Sequence, residues 1–266
     1  MSVALLLALL MAQSVSGPPT AEERYVAELR ARIAQGDIEA EVALGNLYDA
    51  GDVLPLDPAQ AAEWYRRAAD KGHAGAQLNL AMMYFEGHGV ARNVPQAVAW
   101  YERAADRGDA IAMFSLGSIF ETGVDRVSRD ADKAAAWYRK AAAHDLGTAQ
   151  YRLGLMYRDG RGVTRDRAKA IDWLRKAAER DETDAQLELG ILLSPGRGAA
   201  TDIVEAHKWL NLAASRWKNE GKRVKAGWLR DELEKTMTED QRAQAYRRAT
   251  EWQDAHAWAR QSAASK

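Results

Sequence analysis

Five tryptophans constrain this chain more than any other feature. Trp64, Trp100, Trp137, Trp173 and Trp209 follow one another at intervals of 36, 37, 36 and 36 residues. An alanine stands three residues before each (Ala61, Ala97, Ala134, Ala170, Ala206), and an Ala-Ala pair begins four residues after each, from Ala68-Ala69 to Ala213-Ala214. Leu44, Leu80, Leu116, Leu153 and Leu189 keep the same phase, as do Ala40, Ala76, Ala112, Ala149 and Ala185, and Gly51, Gly87, Gly123, Gly160 and Gly196. A unit of this length cannot bury its apolar face alone. Neighbouring copies must stack, and the chain reads as a repeat array.

Each copy spells two helices. In the second, Ala76, Leu80, Met83 and Tyr84 fall at i, i+4, i+7 and i+8, one apolar stripe of a helix. Gly87 ends it, because a left-handed C-cap suits a residue without Cβ. Asn93 then stands where it can cap the next helix, as do Asp57, Asp130, Asp166 and Asp202 in the other copies. That second helix carries Ala97, Trp100, Tyr101, Ala104 and Ala105 inward, with Trp filling the gap between neighbouring pairs. The one extra residue of the third copy falls within 124–129, in a loop that tolerates it. Ala, Leu, Arg and Glu dominate and β-branched residues are scarce, a helix-forming composition.

The expected architecture is all-α, a right-handed α-solenoid of about five two-helix repeats over 38–217. Residues 21–37 form an N-terminal capping helix in which Gly36 keeps phase with Gly72 and Gly108. Residues 218–260 form C-terminal capping helices, the last opened by a capping box at Thr238-Glu239-Asp240-Gln241 and running to about Trp258. Residues 261–266 read as a disordered tail. Before the array, residues 3–12 (VALLLALLMA) are apolar and are followed by small residues. Ten residues are too few to span a bilayer, so 1–16 read as a cleaved export signal, although no Lys or Arg precedes the apolar run. Export places the mature chain in the periplasm or outside the cell, with no membrane span; without cleavage it is cytoplasmic.

The fourth copy carries Ala149-Gln150, Leu153-Gly154, Met156-Tyr157, Gly160-Arg161-Gly162-Val163, Asp166, Lys169-Ala170, Trp173 and Lys176-Ala177-Ala178. This pattern resembles the Sel1-like repeat, a relative of the tetratricopeptide repeat. Ala206 to Ala214 (AHKWLNLAA) is similar to the closing repeat of bacterial members, and Met237-Thr238-Glu239-Asp240-Gln241 to their usual tail. The resemblance covers about residues 21–254. It implies adaptor or scaffold work in which a protein or peptide is held in a superhelical groove, and some exported members regulate an envelope sensor protein.

Chemistry is hard to place on this chain. It has 37 basic and 38 acidic residues, a net charge of −1 and no cysteine. Nothing therefore attracts nucleic acid, and disulfides, thiolate metal sites and a nucleophilic cysteine are excluded. His73, His88, His144, His207 and His256 show no metal spacing. The loops Gly87-His88-Gly89, Gly160-Arg161-Gly162 and Gly196-Arg197-Gly198 recur with the period, so turn geometry explains them better than phosphate binding. Ser215-Arg216-Trp217-Lys218 spells S-x-x-K, but no S-D-N or K-T-G accompanies it. No catalytic residue, cofactor or metal is assigned.

The first helices of such an array line its concave surface. Three columns beside their core stripe vary freely: Ala43, Asn79, Ser115, Arg152, Glu188; then Asn46, Met82, Ser118, Leu155, Ile191; then Ala50, Glu86, Thr122, Asp159, Pro195. Their mixture of small, polar and apolar groups suits a protein or peptide partner with a few apolar anchors. Asn79, Met82, Phe85, Glu86, Ser115, Ser118, Arg152, Leu155, Asp159 and Glu188 are the candidate contact residues. The chain reads as a non-catalytic interaction scaffold, possible partners including a membrane sensor or envelope protein. The alternatives are a cytosolic scaffold of the same fold and a hydrolase of cell-wall or β-lactam substrates.

Overall fold

A computed structural model describes residues 18–196, 202–216 and 219–264, with the backbone alone for 258–264. The segment read as an export signal lies outside the described residues, as do Arg197, Gly198, Trp217 and Lys218. The chain divides into two compact units, residues 1–109 and 110–266. The first holds α1 (Ala21–Ala34), α2 (Ile38–Ala50), α3 (Pro58–Asp70), α4 (Ala74–Glu86) and α5 (Val94–Asp106). The second holds α6 (Ala110–Thr122), α7 (Ala131–Ala143), α8 (Gly147–Asp159), α9 (Arg167–Glu179), α10 (Thr183–Leu193), α11 (Ile203–Arg216), α12 (Glu220–Glu234) and α13 (Glu239–Ala264). No strand occurs among the described residues, and within each unit consecutive helices of the array pack on one another.

The helix starts follow from side-chain caps. Asp57, Asn93, Asp130, Asp166 and Asp202 each accept a hydrogen bond from the backbone N–H three residues on, at 2.9–3.2 Å. Each such cap is worth about 1 kcal/mol. Thr20 and Glu23 form a reciprocal capping box on α1, and Thr238 and Gln241 do the same ahead of α13. At the other end of the first helices, Gly51, Gly87, Gly123 and Gly160 have φ between 70° and 80°, the left-handed stop read from the sequence. In the fifth copy α10 ends earlier, at Leu193 with Ser194 as an extended cap, and Gly196 (φ 79°) lies in the turn beyond it. The turn between copies uses the same conformation at Gly36, Gly72 and Gly108, but Asp145 (φ 61°) and Asp181 (φ 71°) take the place of glycine later in the chain. Asp tolerates this region better than most residues, and ion pairs of Asp145 with Arg180 and of Asp181 with Arg216 hold both turns.

The core is a ladder of small against large. Leu44, Leu80, Leu116, Leu153 and Leu189 are at most 1% exposed. The residue that fills the gap between the paired helices is the one after the tryptophan: Tyr65, Tyr138, Leu174 and Leu210 are at most 2% exposed, whereas Trp64, Trp137 and Trp173 are only half-buried. The gap exists because glycine faces it. A Cβ at Gly45, Gly117, Gly154 or Gly190 would stand 2.6–2.8 Å from the opposing Tyr or Leu. The tryptophans instead lie under a cation one turn on, with Arg67, Arg103, Lys140 and Lys176 centred 3.9–4.4 Å from the rings of Trp64, Trp100, Trp137 and Trp173.

Copies are joined by buried amides. The Gln77, Gln150 and Gln186 side chains donate to the carbonyls of Ala69, Ala142 and Ala178 at 3.1–3.2 Å, a second hydrogen bond on carbonyls that also accept the backbone N–H of Gly72, Asp145 and Asp181 at 2.9–3.2 Å. Their counterpart in the first copy, Glu41, is fully buried and bridges Arg67 (3.0 Å) and Lys71 (2.9 Å). At the C-terminus α12 and α13 both cover α11. Buried His207 meets Glu234 at 2.7 Å, Tyr246 also donates to Glu234, and Trp252 packs edge-on against Trp209. α13 continues to Ala264, beyond the end near Trp258 and into the tail read as disordered. Gln261, Ser262, Ala263 and Ala264 contain neither Gly nor Pro to stop it.

Candidate functional site

The candidate contact residues stand on first helices, α4 in one unit and α6, α8 and α10 in the other. In the 110–266 unit those three helices carry six charged side chains: Glu121, Arg152, Arg158, Asp159, Asp184 and Glu188. Four of them are tied together and a fifth, Asp184, is paired apart from them. Tyr138 donates to Glu121 at 2.8 Å, Arg161 bonds the other Glu121 oxygen at 2.8 Å, and Arg161 reaches Asp159 at 3.5 Å. Arg158 clasps Asp159 through two hydrogen bonds of 2.7 and 3.0 Å and extends a third to Glu188. Asp184 pairs with Lys222 of α12 at 2.8 Å. The Arg158 contact, then Arg161, hold the Asp159 carboxyl below its usual range, although burial pushes the other way.

Arg152 is the exception. It is exposed and meets no carboxylate among the described residues. Its charge is felt at two tyrosine hydroxyls: Tyr151, which burial first and then Asp184 and Glu188 push up to about 12, and Tyr138, raised by burial and Glu121. Ser115 and Ser118 are half-buried on the adjoining first helix, Ser118 hydrogen-bonding the Tyr138 hydroxyl. Glu188 is thus spent on holding neighbouring copies together, and Asp159 on fixing the two arginines that do so, roles that column-by-column reading missed. The available signal was the opposite charge of Glu121 and Arg158 at one register position in successive copies.

Leu155 requires a correction. Its column lies beside the core stripe, yet Leu155 is 9% exposed and belongs to the core. The second helix of its copy carries Leu174 where others carry tyrosine, so this gap is lined by aliphatic rather than hydroxylated groups. In the 1–109 unit the equivalent of Tyr138 is Tyr65, which donates to Asn46 at 2.7 Å and also bonds Asn79. Burial, then Asp49, pushes its pKa up to about 12. Met82 is 41% exposed, Glu86 is exposed, and Phe85 is half-buried beneath Arg92 at 5.9 Å.

Catalytic geometry is sparse. The Ser215 hydroxyl donates to the Leu212 carbonyl at 2.9 Å, and Lys218 lies outside the described residues. His207 reaches a carboxylate but is fully buried. Among the described residues no three His, Asp or Glu side chains gather to hold a metal, and no helix is long and apolar enough to cross a membrane.

This two-helix geometry, repeated five times, coincides with five matches to the Sel1 repeat, at 38–73, 74–109, 110–146, 147–182 and 183–216. The chain belongs to the Sel1 repeat family. Among solved structures, a Sel1 repeat protein from Oxalobacter formigenes is 29% identical with a TM-score of 0.70, over 84% of this chain and 88% of that one. The protective antigen c5321 of uropathogenic Escherichia coli is 26% identical with a TM-score of 0.43, over 88% of this chain and 65% of its own. Immunity protein Pa5087 of Pseudomonas aeruginosa is 17% identical with a TM-score of 0.39, over 84% and 85%. No curated protein matches the chain. Sel1 repeat proteins are generally non-catalytic interaction scaffolds of α-solenoid, tetratricopeptide-like fold.

Proposed function

We propose that this Sel1 repeat protein is a non-catalytic adaptor that holds a protein or peptide against its first helices. The contacts fall on Asn79, Met82, Phe85 and Glu86 in one unit and on Ser115, Ser118 and Arg152 in the other, with Asp159 and Glu188 fixing the frame. One observation carries the reading: among the described residues Arg152 meets no opposite charge, whereas the other charged side chains of α6, α8 and α10 are all paired. The solvated Arg152 guanidinium offers polar contacts in one unit, and the exposed Met82 an apolar contact in the other, each at a position the repeat does not need. The partner is an envelope protein, and the chain is exported; the apolar run at 3–12 followed by small residues supports that placement.

Crosslinking and co-purification from intact cells, comparing wild type with Met82→Ala/Arg152→Ala, tests the site. A protein captured by wild type alone is the expected result. Capture by both forms moves the contact to another surface, and capture by neither removes the adaptor reading. N-terminal sequencing of the mature chain checks export, a start at Val15 or Gly17 being expected.

A further inference from the structure

The most exposed large apolar side chains of the 110–266 unit are Val224 and Trp228, each 60% exposed. Both stand on α12, one turn apart. Ala226, Leu229 and Leu233 occupy its opposite side, where the helix is pinned to α11 by Arg230 on Asn211 (3.1 Å) and Glu234 on His207 (2.7 Å). The Val224–Trp228 stripe therefore faces away from the packing of α12 on this chain, and water meets most of an indole that most proteins would cover.

The surroundings of Trp228 are matched to themselves. Lys225 lies three residues before it and Glu232 four residues after it, on the same flank of the helix and both exposed. Lys225 has no ion-pair partner among the described residues, and Glu232 has only the exposed contact three residues on with Lys235 at 2.5 Å, a solvated pair that leaves its second oxygen open to another cation. Gly221 opens the same stripe at its N-terminal end, where a Cβ would find only Asn219 Oδ1, 3.4 Å away. In an antiparallel pair of identical helices, a flank meets the same flank of the copy. A two-fold axis beside Trp228 then sets Lys225 against the partner subunit's Glu232, and the converse, while the two indoles meet at the axis. The same axis brings Lys235 over the partner subunit's Gly221, whose missing side chain leaves room for the lysine stem.

We infer that α12 is a self-association surface, and that its occupant is α12 of a second copy of this chain, packed antiparallel through Val224 and Trp228. Complementarity under a two-fold operation is what an isologous interface requires, and an unrelated partner would not require Lys225 and Glu232 to lie about equally far from Trp228. One helix face makes a small interface, so the dimer is weak and concentration-dependent. The inference is independent of the contact residues on α4, α6 and α8.

Sedimentation of the full chain from about 5 to about 500 μM, the range a small interface calls for, is the test. The average mass should rise from the 29.4 kDa of one chain toward twice that value. Trp228→Ala should weaken association at least ~10-fold with an unchanged circular dichroism spectrum, because the indole contributes little to the fold. Lys225→Glu and Glu232→Lys should each weaken it, and the double charge swap should restore it. A chain that stays monomeric throughout the range overturns the inference, as does a Trp228→Ala chain that associates as tightly as wild type. Failure of the double swap to recover association refutes the antiparallel register, and capture of a different protein through Trp228 by a monomeric chain assigns the surface to another occupant.

Discussion

Two glycines two residues apart should respond very differently to the same substitution. Gly160 and Gly162 both lie in the left-handed region, with φ of 71° and 63°. An alanine there costs about 1–2 kcal/mol in backbone energy, partly offset by the ~0.4–1 kcal/mol it removes from the freedom of the unfolded chain. At Gly160 little more is added. The new Cβ would stand 3.1 Å from Arg165 Cβ, on an exposed loop side chain that can shift. At Gly162 the Cβ would fall 2.0 Å from the Ala131 carbonyl oxygen and 2.3 Å from its carbon. That is backbone at the start of α7, in the preceding copy, and relief needs a shift of more than about 1 Å. Overpacking of this kind adds about 1–3 kcal/mol. Gly160→Ala should thus lose about 1 kcal/mol and Gly162→Ala about 3 kcal/mol or more. At about 2–4 °C per kcal/mol for a chain of this size, calorimetry should show a fall of roughly 3 °C against roughly 10 °C. Amide exchange should quicken in the 160–166 loop and at the start of α7 only for Gly162→Ala. Equal losses at the two sites would show that the copies do not approach each other through this glycine. Gly89, whose Cβ would stand 2.2 Å from the Pro58 carbonyl oxygen, gives the same test in the other unit.

Three further outcomes are expected. Gln150→Leu removes the side-chain donor from the Ala142 carbonyl, which keeps the Asp145 N–H at 3.2 Å, and should cost about 0.5–1.5 kcal/mol in denaturant unfolding; a loss under ~0.5 kcal/mol would mean that water replaces the amide. Glu41→Gln should stay within about 1 kcal/mol of wild type, because Arg67 and Lys71 are 51% and 42% exposed and rehydrate, whereas Arg67→Ala/Lys71→Ala strands a fully buried carboxylate and should cost about 3 kcal/mol or more. Glu205 is pushed up by burial, but the two 3.0 Å hydrogen bonds from Arg175 and the one from Trp209 prevail and leave its pKa lowered. A lowered folded value means stability that is present above the ordinary glutamate pKa of about 4.3 and is lost as pH falls through the folded value. The difference in unfolding free energy between wild type and Glu205→Gln should therefore shrink below about pH 4, and a difference that is constant from pH 3 to 7 would contradict it.

What the sequence disclosed depends on whether a residue acts alone or in a pair. The caps, the left-handed glycines and the alanine and leucine ladders each depend on one residue and its own backbone, so their recurrence in phase was sufficient to place them. The glycine that follows four of the five leucines gave no such lead, because its meaning lies in the tyrosine or leucine it faces across the copy. The inter-copy bonds were hidden for the same reason: Arg158 and Arg161 of the fourth copy meet Glu188 of the fifth and Glu121 of the third, and each alone looks like a solvated charge. The turn residues Asp145 and Asp181 show the converse, a conformation preserved after its usual glycine has gone.

The same pairing argument separates the candidate anchors. Where the residue after the tryptophan is tyrosine, the second column is polar in the first and third copies, Asn46 with Tyr65 and Ser118 with Tyr138. Where it is leucine, in the fourth and fifth, the column turns aliphatic, Leu155 with Leu174 and Ile191 with Leu210, and both residues are at least partly buried. Those four choices answer the interior of their own copies and say little about a partner. The second copy breaks the rule: Met82 is apolar although Tyr101 follows its tryptophan, and it is 41% exposed. Neither the period nor the packing of its copy accounts for an exposed methionine there. Met82 therefore stands closer than any other member of its column to a residue chosen for something outside the chain.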